Sequence, residues 1–394
     1  MLKNLSKILN KIYPIHDFLY ILQLEEYENI RYFKRLKRFF WRRNLQKRDK
    51  LVLTKRVKII LSVALPFVLI TPPLTPVWIG LSNLILTPYF ELIRFNIRKK
   101  AGKYFEKVNT KTKVIAIAGS FGKTTTKNYI YELVKYNYKT QMIPGNINTP
   151  AGIADWVLKK FDPSSDILIV EVDTYFIGEI GRSLKITPPD IAILTNVGDQ
   201  HLERLGTKAN LSIALNEVFG FAKPNAVKIR NKKSNLDYAL EVSKILQIPK
   251  DVVNNTIKSL RVPDRRRNLV NLNGYSVIDD SYNISETTSK VGVEYASTIA
   301  KKAGRELIVI TAGIPELGIE NKDGNMHLGQ TLSKFADKVF LLESILADGV
   351  DSGISNKSIV IKVHSMDEVW DKMTMFSPKK YLILMQPELN DLYY

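Results

Sequence analysis

The chain has 394 residues, 45% hydrophobic and 25% charged, enough apolar content to pack two or three domains and too much for a disordered chain. It has no cysteine and four histidines, which excludes disulfide frameworks, thiolate metal sites and a cysteine nucleophile, and makes a hard cation such as Mg²⁺ the best-suited metal. The net charge of +19 points to an anionic partner, either nucleic acid or a membrane surface.

Residues 1–56 read as a basic amphipathic helical region, with aromatic residues interleaved among cations in "ENIRYFKRLKRFFWRRN". From Arg31 to Lys58, thirteen Lys and Arg stand against a single acid, Asp49. From Ile59 to Phe90 there is no Asp, Glu, Lys or Arg over 32 residues, and a second basic cluster, "RFNIRKKAGK", follows at 94–103. The segment "TPPLTP" at 71–76 would break a continuous helix, so residues 57–105 read as an α-helical membrane hairpin of two short arms, crossing fully or re-entrant. Basic residues on both flanks put both ends, and the domains that follow, on the cytoplasmic side of the cell membrane. A cleaved signal peptide does not fit, because the apolar run starts late and is followed by a basic stretch. The competing readings are a buried hairpin of a soluble protein and an arginine-rich RNA-binding helix; the adjoining apolar run favours anionic membrane lipids over nucleic acid.

From Lys113 onward, short apolar runs alternate with helical stretches, which is α/β patterning. Strands are expected at 113–119, 139–145, 166–172, 190–197 and 225–230, mostly without polar alternation, as in a parallel sheet covered on both faces. A second set is expected at 275–280, 306–313, 338–343, 358–363 and 381–386, with helical residues 231–260 joining the two. The domains are then a P-loop-type parallel-sheet domain at 106–260 and a Rossmann-like α/β domain at 261–394.

The stretch "IAIAGSFGKTTTKNYI" carries Gly-Lys-Thr but has Ile117 where the general formula G-x-x-x-x-G-K-[ST] has glycine. Its context compensates: a buried strand, a turn containing Gly119, Ser120, Phe121 and Gly122, and a helix start aim backbone N–H groups and the helix dipole at one anion. Lys123 adds a positive charge, and Thr124 or Thr125 adds a hydroxyl for Mg²⁺. The strand "DILIVEV" ends in Glu171, placed as a carboxylate that meets a metal at a strand's C-terminal end. "NVGDQHLERLGT" brings His201 to the same sheet edge, where ligands of open α/β sheets gather; a structural histidine is the alternative.

In order, "GSFGKTTT", "PGNINTPAGIA" (144–154), "IVEVDTYFIGEIG" (169–181), "LTNVGDQHLERLGT" (194–207) and "VIDDSYN" (277–283) resemble the Mur ligase family over roughly residues 113–390. The resemblance implies an ATP- and Mg²⁺-dependent amide ligase acting on a peptidoglycan (cell-wall) precursor through an acyl phosphate, with an amino acid or peptide as the second substrate. It also implies roles. Lys123, Glu171 and His201 would be catalytic. Gly119, Ser120, Phe121, Gly122, Lys123, Thr124, Thr125, Asn235, Arg265 and Asp279 would bind ATP. Thr124 would hold one Mg²⁺ and Glu171 with His201 a second, while Asn146, Asn148, Thr149, Asp280, Tyr282 and Asn283 would face the substrates. Glu316 and His327, in "ITAGIPELGIENKDGNMHLG", read as fold support with substrate contact as the alternative.

The chain departs from the family at named places. Leu215 stands where the family carries a carbamylated lysine, and a leucine cannot carry a carbamate. Only "NKKS" separates the strand near 225–230 from Asn235, the last domain ends early, and the basic and apolar segments replace a UDP-sugar-binding domain. A nucleotide-binding pseudoenzyme or scaffold in envelope assembly is therefore the alternative to a working ligase.

Overall fold

A computed structural model describes residues 14–40, 50–109, 111–145, 147–261, 265–282, 284–387 and 389–393. Contacts divide the chain into two compact units, residues 1–96 with 389–394, and residues 97–388.

In the first unit, α1 (Ile15–Leu24) buries Ile15, Phe18, Leu19, Ile21 and Leu22. The chain then bends through Glu26 and Tyr27, both at positive φ, into α2 (Asn29–Phe39). Glu28 caps α2 by accepting from the N–H groups of Ile30 and Arg31. Two cations of the basic stretch are internal. Arg31 and Arg35 clamp the buried carboxylate of Glu25 at 2.6 and 2.7 Å, which satisfies a charge that burial would otherwise make costly.

The apolar segment forms α3 (Lys55–Ile70), a 3₁₀ turn at Pro72–Leu74 and α4 (Thr75–Val108). Proline fixes the reversal. Across it Phe67 stacks on Trp78 with ring centroids 4.8 Å apart, Trp78 Nε1 donates to Thr71 Oγ1 at 2.8 Å, and Arg56 reaches Asn83 Oδ1 at 3.0 Å. Both expected arms and the proline turn are present, but among the described residues no helix is long and apolar enough to cross a membrane. This corrects the reading of a transmembrane helix: the prolines at 72, 73 and 76 end the first arm too early. The C-terminal residues pack within this unit, where Tyr20 donates to Asp391 at 2.5 Å and Arg38 to the Leu392 carbonyl at 3.2 Å.

The second unit holds two sheets. The first contains β1 (Lys113–Ala118), β2 (Thr140–Met142), β3 (Ile167–Glu171), β4 (Ile191–Leu194) and β5 (Val227–Ile229), in order β2-β3-β1-β4-β5 and parallel throughout. Alternate residues of these apolar strands serve two cores. Ile115, Ile117, Ile169 and Ile193 pack against α5 (Lys123–Val134), whose inner face carries Ile130, Leu133 and Val134. Val114, Ala116, Leu168, Val170 and Ala192 meet the other layer, which includes α6 (Pro150–Lys160), α7 (Glu179–Leu184), α8 (Leu202–Leu205) and α9 (Lys208–Gly220). Helices α10 (Asn235–Ile245) and α11 (Lys250–Ser259) lead to the second sheet.

That sheet runs β10-β9-β8-β11-β7-β6, built from β6 (Asn268–Leu272), β7 (Tyr275–Asp279), β8 (Glu306–Thr311), β9 (Lys338–Leu342), β10 (Val360–Val363) and β11 (Tyr381–Met385). All pairs are parallel except β6–β7, a hairpin turned at Asn273 (φ 51°) and Gly274 (φ 84°). Sequence reading placed every strand of both sheets except β6, although Asn-Gly between alternating apolar residues is the signal for such a hairpin. Helices α12 (Glu286–Lys302), α13 (Asn321–Phe335), α14 (Ala347–Gly353) and α15 (Met366–Met373) cover this sheet.

Candidate active site

The turn after β1 is shaped by two glycines with left-handed φ, Gly119 at 143° and Gly122 at 83°. A Cβ on Gly119 would collide with Thr195 Oγ1, and one on Gly122 with Asn235 Oδ1, so neither position admits a side chain. The loop is pinned from the sheet side: Ser120 N donates to the Asn196 carbonyl at 2.8 Å, Thr195 Oγ1 to the Phe121 carbonyl at 2.7 Å, and Gly198 N to Ser120 Oγ at 2.9 Å. Gly122 precedes the first turn of α5 without a side-chain cap, leaving that helix start to an incoming anion. Asn235 accepts from Thr126 Oγ1 at 3.3 Å at the start of α10.

Lys123 is buried; its ammonium donates to the Gly119 carbonyl at 2.6 Å and pairs with Asp173 at 3.2 Å. Thr124 Oγ1 donates to the two oxygens of Glu171 at 2.9 and 3.1 Å, so the hydroxyl and the strand-end carboxylate share one spot beside the loop. Glu171 also pairs with Lys127 at 2.9 Å, both side chains almost wholly buried. Sequence reading passed over Lys127 and Asp173. Lys127 lies one helical turn past Lys123, on the same face of α5, and that i, i+4 spacing was the available signal.

These groups open into a cavity of about 780 Å³, a size suited to a nucleotide. Ser120, Phe121, Gly122, Lys123, Thr124, Thr125, Asn148, Glu171, His201, Asn235, Asp280 and Tyr282 all line it. Gly119 lies beneath the loop. Thr149 instead caps α6 by accepting from Gly152 N at 3.3 Å. Arg265, at φ 60°, donates to Ser281 Oγ at 2.9 Å, and Asp279 accepts from the same hydroxyl at 2.5 Å, so these two hold the end of β7 rather than line the cavity. Asn146 and Asn283 lie outside the described residues.

The far wall comes from the second sheet. Asp280 pairs with Arg267 at 3.2 Å, and Arg266 lies 4.0 Å over the Tyr282 ring. Burial pushes the Asp280 carboxyl above its usual value, against the opposing pull of Arg267. His201 Nδ1 meets Glu316 Oε2 at 2.5 Å, with the Tyr175 ring edge-on at 4.7 Å. Burial works against the His201 cation, but the charge and hydrogen bond of Glu316 outweigh it and raise the imidazole above 6.5. His327 bonds Glu286 at 2.8 Å on an exposed face.

Oxygen donors at Thr124 and Glu171, next to a phosphate loop, fit one Mg²⁺, a cation that takes few protein ligands and completes its shell with water and phosphate. At the position expected for a second ion, His201 Nδ1 is engaged by Glu316, and Leu215 is buried in the apolar core.

Comparison with known proteins agrees with this geometry. The Mur ligase middle domain matches residues 117–271. UDP-N-acetylmuramoyl-tripeptide–D-alanyl-D-alanine ligase of Bacillus subtilis is 30% identical over 133 residues, 34% of this chain and 28% of that protein. The Escherichia coli ligase of the same name is 29% identical over 123 residues, 31% of this chain and 27% of that protein. The alignments thus span little more than a quarter of these relatives. Among solved structures, MurF ligase from Thermotoga maritima in complex with ADP superposes with a TM-score of 0.67 at 22% identity, covering 75% of this chain and 80% of that one. The Yersinia pestis folylpolyglutamate synthase/dihydrofolate synthase complexed with AMPPNP and Mn ion gives 0.54 at 10% identity, covering 75% and 91%. Residues 117–271 therefore match the Mur ligase middle domain, and three quarters of the chain share the fold of solved Mur ligase structures.

Proposed function

We propose that this chain is an ATP- and Mg²⁺-dependent carbon–nitrogen ligase that joins an amine to a carboxylate of a cell-wall precursor at the cytoplasmic face of the membrane. The observation that carries the reading is the phosphate loop, with Lys123, Thr124 and Glu171 converging on one cavity whose far wall holds Asp280 and Tyr282. The relatives are named ligases of muramoyl peptides, and neighbours with the same fold bind ADP or AMPPNP.

In this reading the loop N–H groups and Lys123 take the β- and γ-phosphates, Lys123 exchanging its contacts with the Gly119 carbonyl and Asp173 for phosphate oxygens. Thr124 and Glu171 would hold one Mg²⁺, which would supply neutralisation of phosphate charge. The precursor carboxylate attacks the γ-phosphorus, forming an acyl phosphate and ADP. The amine then attacks the acyl carbon, and the tetrahedral adduct expels phosphate to leave the amide. Asp280 and Tyr282 face the space where that amine would dock, so positioning and electrostatics carry most of the work.

The test is phosphate release by the purified full chain with ATP, Mg²⁺ and a panel of muramyl peptides and amino acids. Release that needs both substrates and disappears in Lys123→Ala supports ligation. Silence across a broad panel, with ATP still bound and an envelope protein co-purifying, favours the scaffold reading, which Leu215 in the core recommends.

A further inference from the structure

The α3–α4 hairpin has two unlike sides. Its inner side is ordinary protein core: Val57, Ile60, Leu61, Ala64, Val68 and Ile79 are buried, and Gly80 lets the rings of Tyr32 and Phe33 approach the helix closely. The polar groups on that side are satisfied there, Asn83 donating to the Tyr27 carbonyl at 2.8 Å and to Asn29 at 2.7 Å, and Tyr32 to the Pro76 carbonyl at 2.9 Å.

The outer side reverses the usual pattern. At the tip, Phe67, Leu69, Ile70 and Leu74 are exposed, Ile70 by 77%. Along α4, Leu84, Ile85, Tyr89, Leu92 and Ile93 recur at helical spacing as an exposed apolar stripe, with Ile85 at 71%. An apolar face of this extent on a helix pair marks an interaction surface.

Charge selects the occupant. No charged residue lies between Ile59 and Phe90, while Lys55 and Lys58 stand exposed at the base of α3; on α4, Glu91 pairs with Arg94 at 2.8 Å, and Arg98, Lys99 and Lys100 follow without a further acid before Glu106. A second copy of the chain would bring like charges together, whereas an anionic bilayer offers hydrocarbon to the stripe and phosphate to the base.

Length selects the depth. At ~1.5 Å per residue, the charge-free parts of the two arms span roughly 18 and 24 Å, short of the ~30 Å hydrocarbon core. We propose that the hairpin is a monotopic anchor embedded in one leaflet of an anionic bilayer, with its proline turn in hydrocarbon and both helix bases at the headgroups. This rests on the membrane placement above and is independent of ligase activity.

The cysteine-free chain allows a clean test. Leu74→Cys at the tip and Ile319→Cys, 92% exposed in the other unit, are each introduced into the full chain and labelled with an environment-sensitive fluorophore. Retained nucleotide binding serves as the check on folding. Both proteins should float with phosphatidylglycerol vesicles and not with phosphatidylcholine vesicles. Only the Leu74 label should shift to the blue, and it should stay shielded from a soluble quencher placed outside or trapped inside. The pair Ile70→Asp and Leu74→Asp should weaken flotation more than ten-fold. Failure to float would overturn the membrane placement itself. Flotation with quenching of the Leu74 label from the vesicle lumen would mean a crossing hairpin and overturn the one-leaflet depth. Salt-reversible flotation without a spectral shift would reduce the contact to surface charge and overturn insertion. Disulfide-linked dimers through unlabelled Leu74→Cys without lipid would assign the face to a second copy.

Discussion

Replacing Lys127 by methionine isolates the ion pair beneath the loop. Methionine keeps the apolar stem of the side chain and removes the ammonium, so Glu171 remains buried with only the Thr124 hydroxyl against it. Breaking one side of a buried pair costs about 3–5 kcal/mol, because the surviving charge keeps its desolvation penalty and loses its partner. For the unit spanning residues 97–388, at an unfolding entropy of about 2.1 cal/mol/K per residue, that is a fall in melting temperature of roughly 5–8 °C. The double variant Lys127→Met, Glu171→Gln, which removes both charges, should be more stable than the single one. Calorimetry on the three proteins makes the measurement. A single variant that melts within a degree or two of the parent, or a double variant no better than the single, would refute the assignment of Lys127 as the charge that makes a buried Glu171 tolerable.

Three further outcomes follow from the same geometry. Lys123→Ala removes charge-assisted hydrogen bonds worth about 1.5–3 kcal/mol, so titration calorimetry should show ATP affinity falling roughly ten- to hundred-fold. Gly122→Ala forces a non-glycine residue to φ 83° and drives a methyl into Asn235, costing at least ~1–2 kcal/mol and most of the nucleotide affinity; thermal shift with and without ATP reads both effects. The imidazole of His201 is raised by Glu316, so the bond's contribution is complete below pH 6.5 and fades as pH climbs through the higher folded value; Glu316→Gln should lower the melting temperature more at pH 6 than at pH 9.

Local chemistry explains which parts were legible in the sequence. The phosphate loop could be read because its determinants are contiguous: the apolar run of β1, two glycines that must take positive φ, and a helix start. The parallel strands were legible because uninterrupted Val and Ile runs have one stable use, between two helical layers. Strand β6 was signalled only by the Asn-Gly turn, because "NLVNL" carries two asparagines in five residues and gains its place only by pairing with β7. Lys127 and Asp173 were missed for the opposite reason: their types are common on surfaces, and their importance depends on a partner 40 or more residues away in sequence. The two arginines on Glu25 were read with the lipid-facing basic helix because composition does not reveal that α1 and α2 fold onto a buried acid.

The charge balance at the loop bears on the order of binding. Two carboxylates, Glu171 and Asp173, already face two ammonium groups, Lys127 and Lys123. These four groups therefore give the cavity no net negative charge, and little electrostatic reason to collect a divalent cation alone. Nucleotide changes this. When Lys123 leaves Asp173 for phosphate, one carboxylate loses its partner and several phosphate charges arrive together, so Mg²⁺ becomes the natural counter-charge at Thr124 and Glu171. Metal affinity should then depend on nucleotide. With Mn²⁺ as a spectroscopic probe, the free chain should bind weakly, and ADP or a non-hydrolysable ATP analogue should tighten binding of one ion at least ten-fold beyond the nucleotide's own affinity for Mn²⁺. Tight Mn²⁺ binding to the nucleotide-free chain, or two ions per chain, would mean that Lys127 gives up Glu171 without nucleotide and that the donor set around His201 rearranges, contrary to the ion pairs described above.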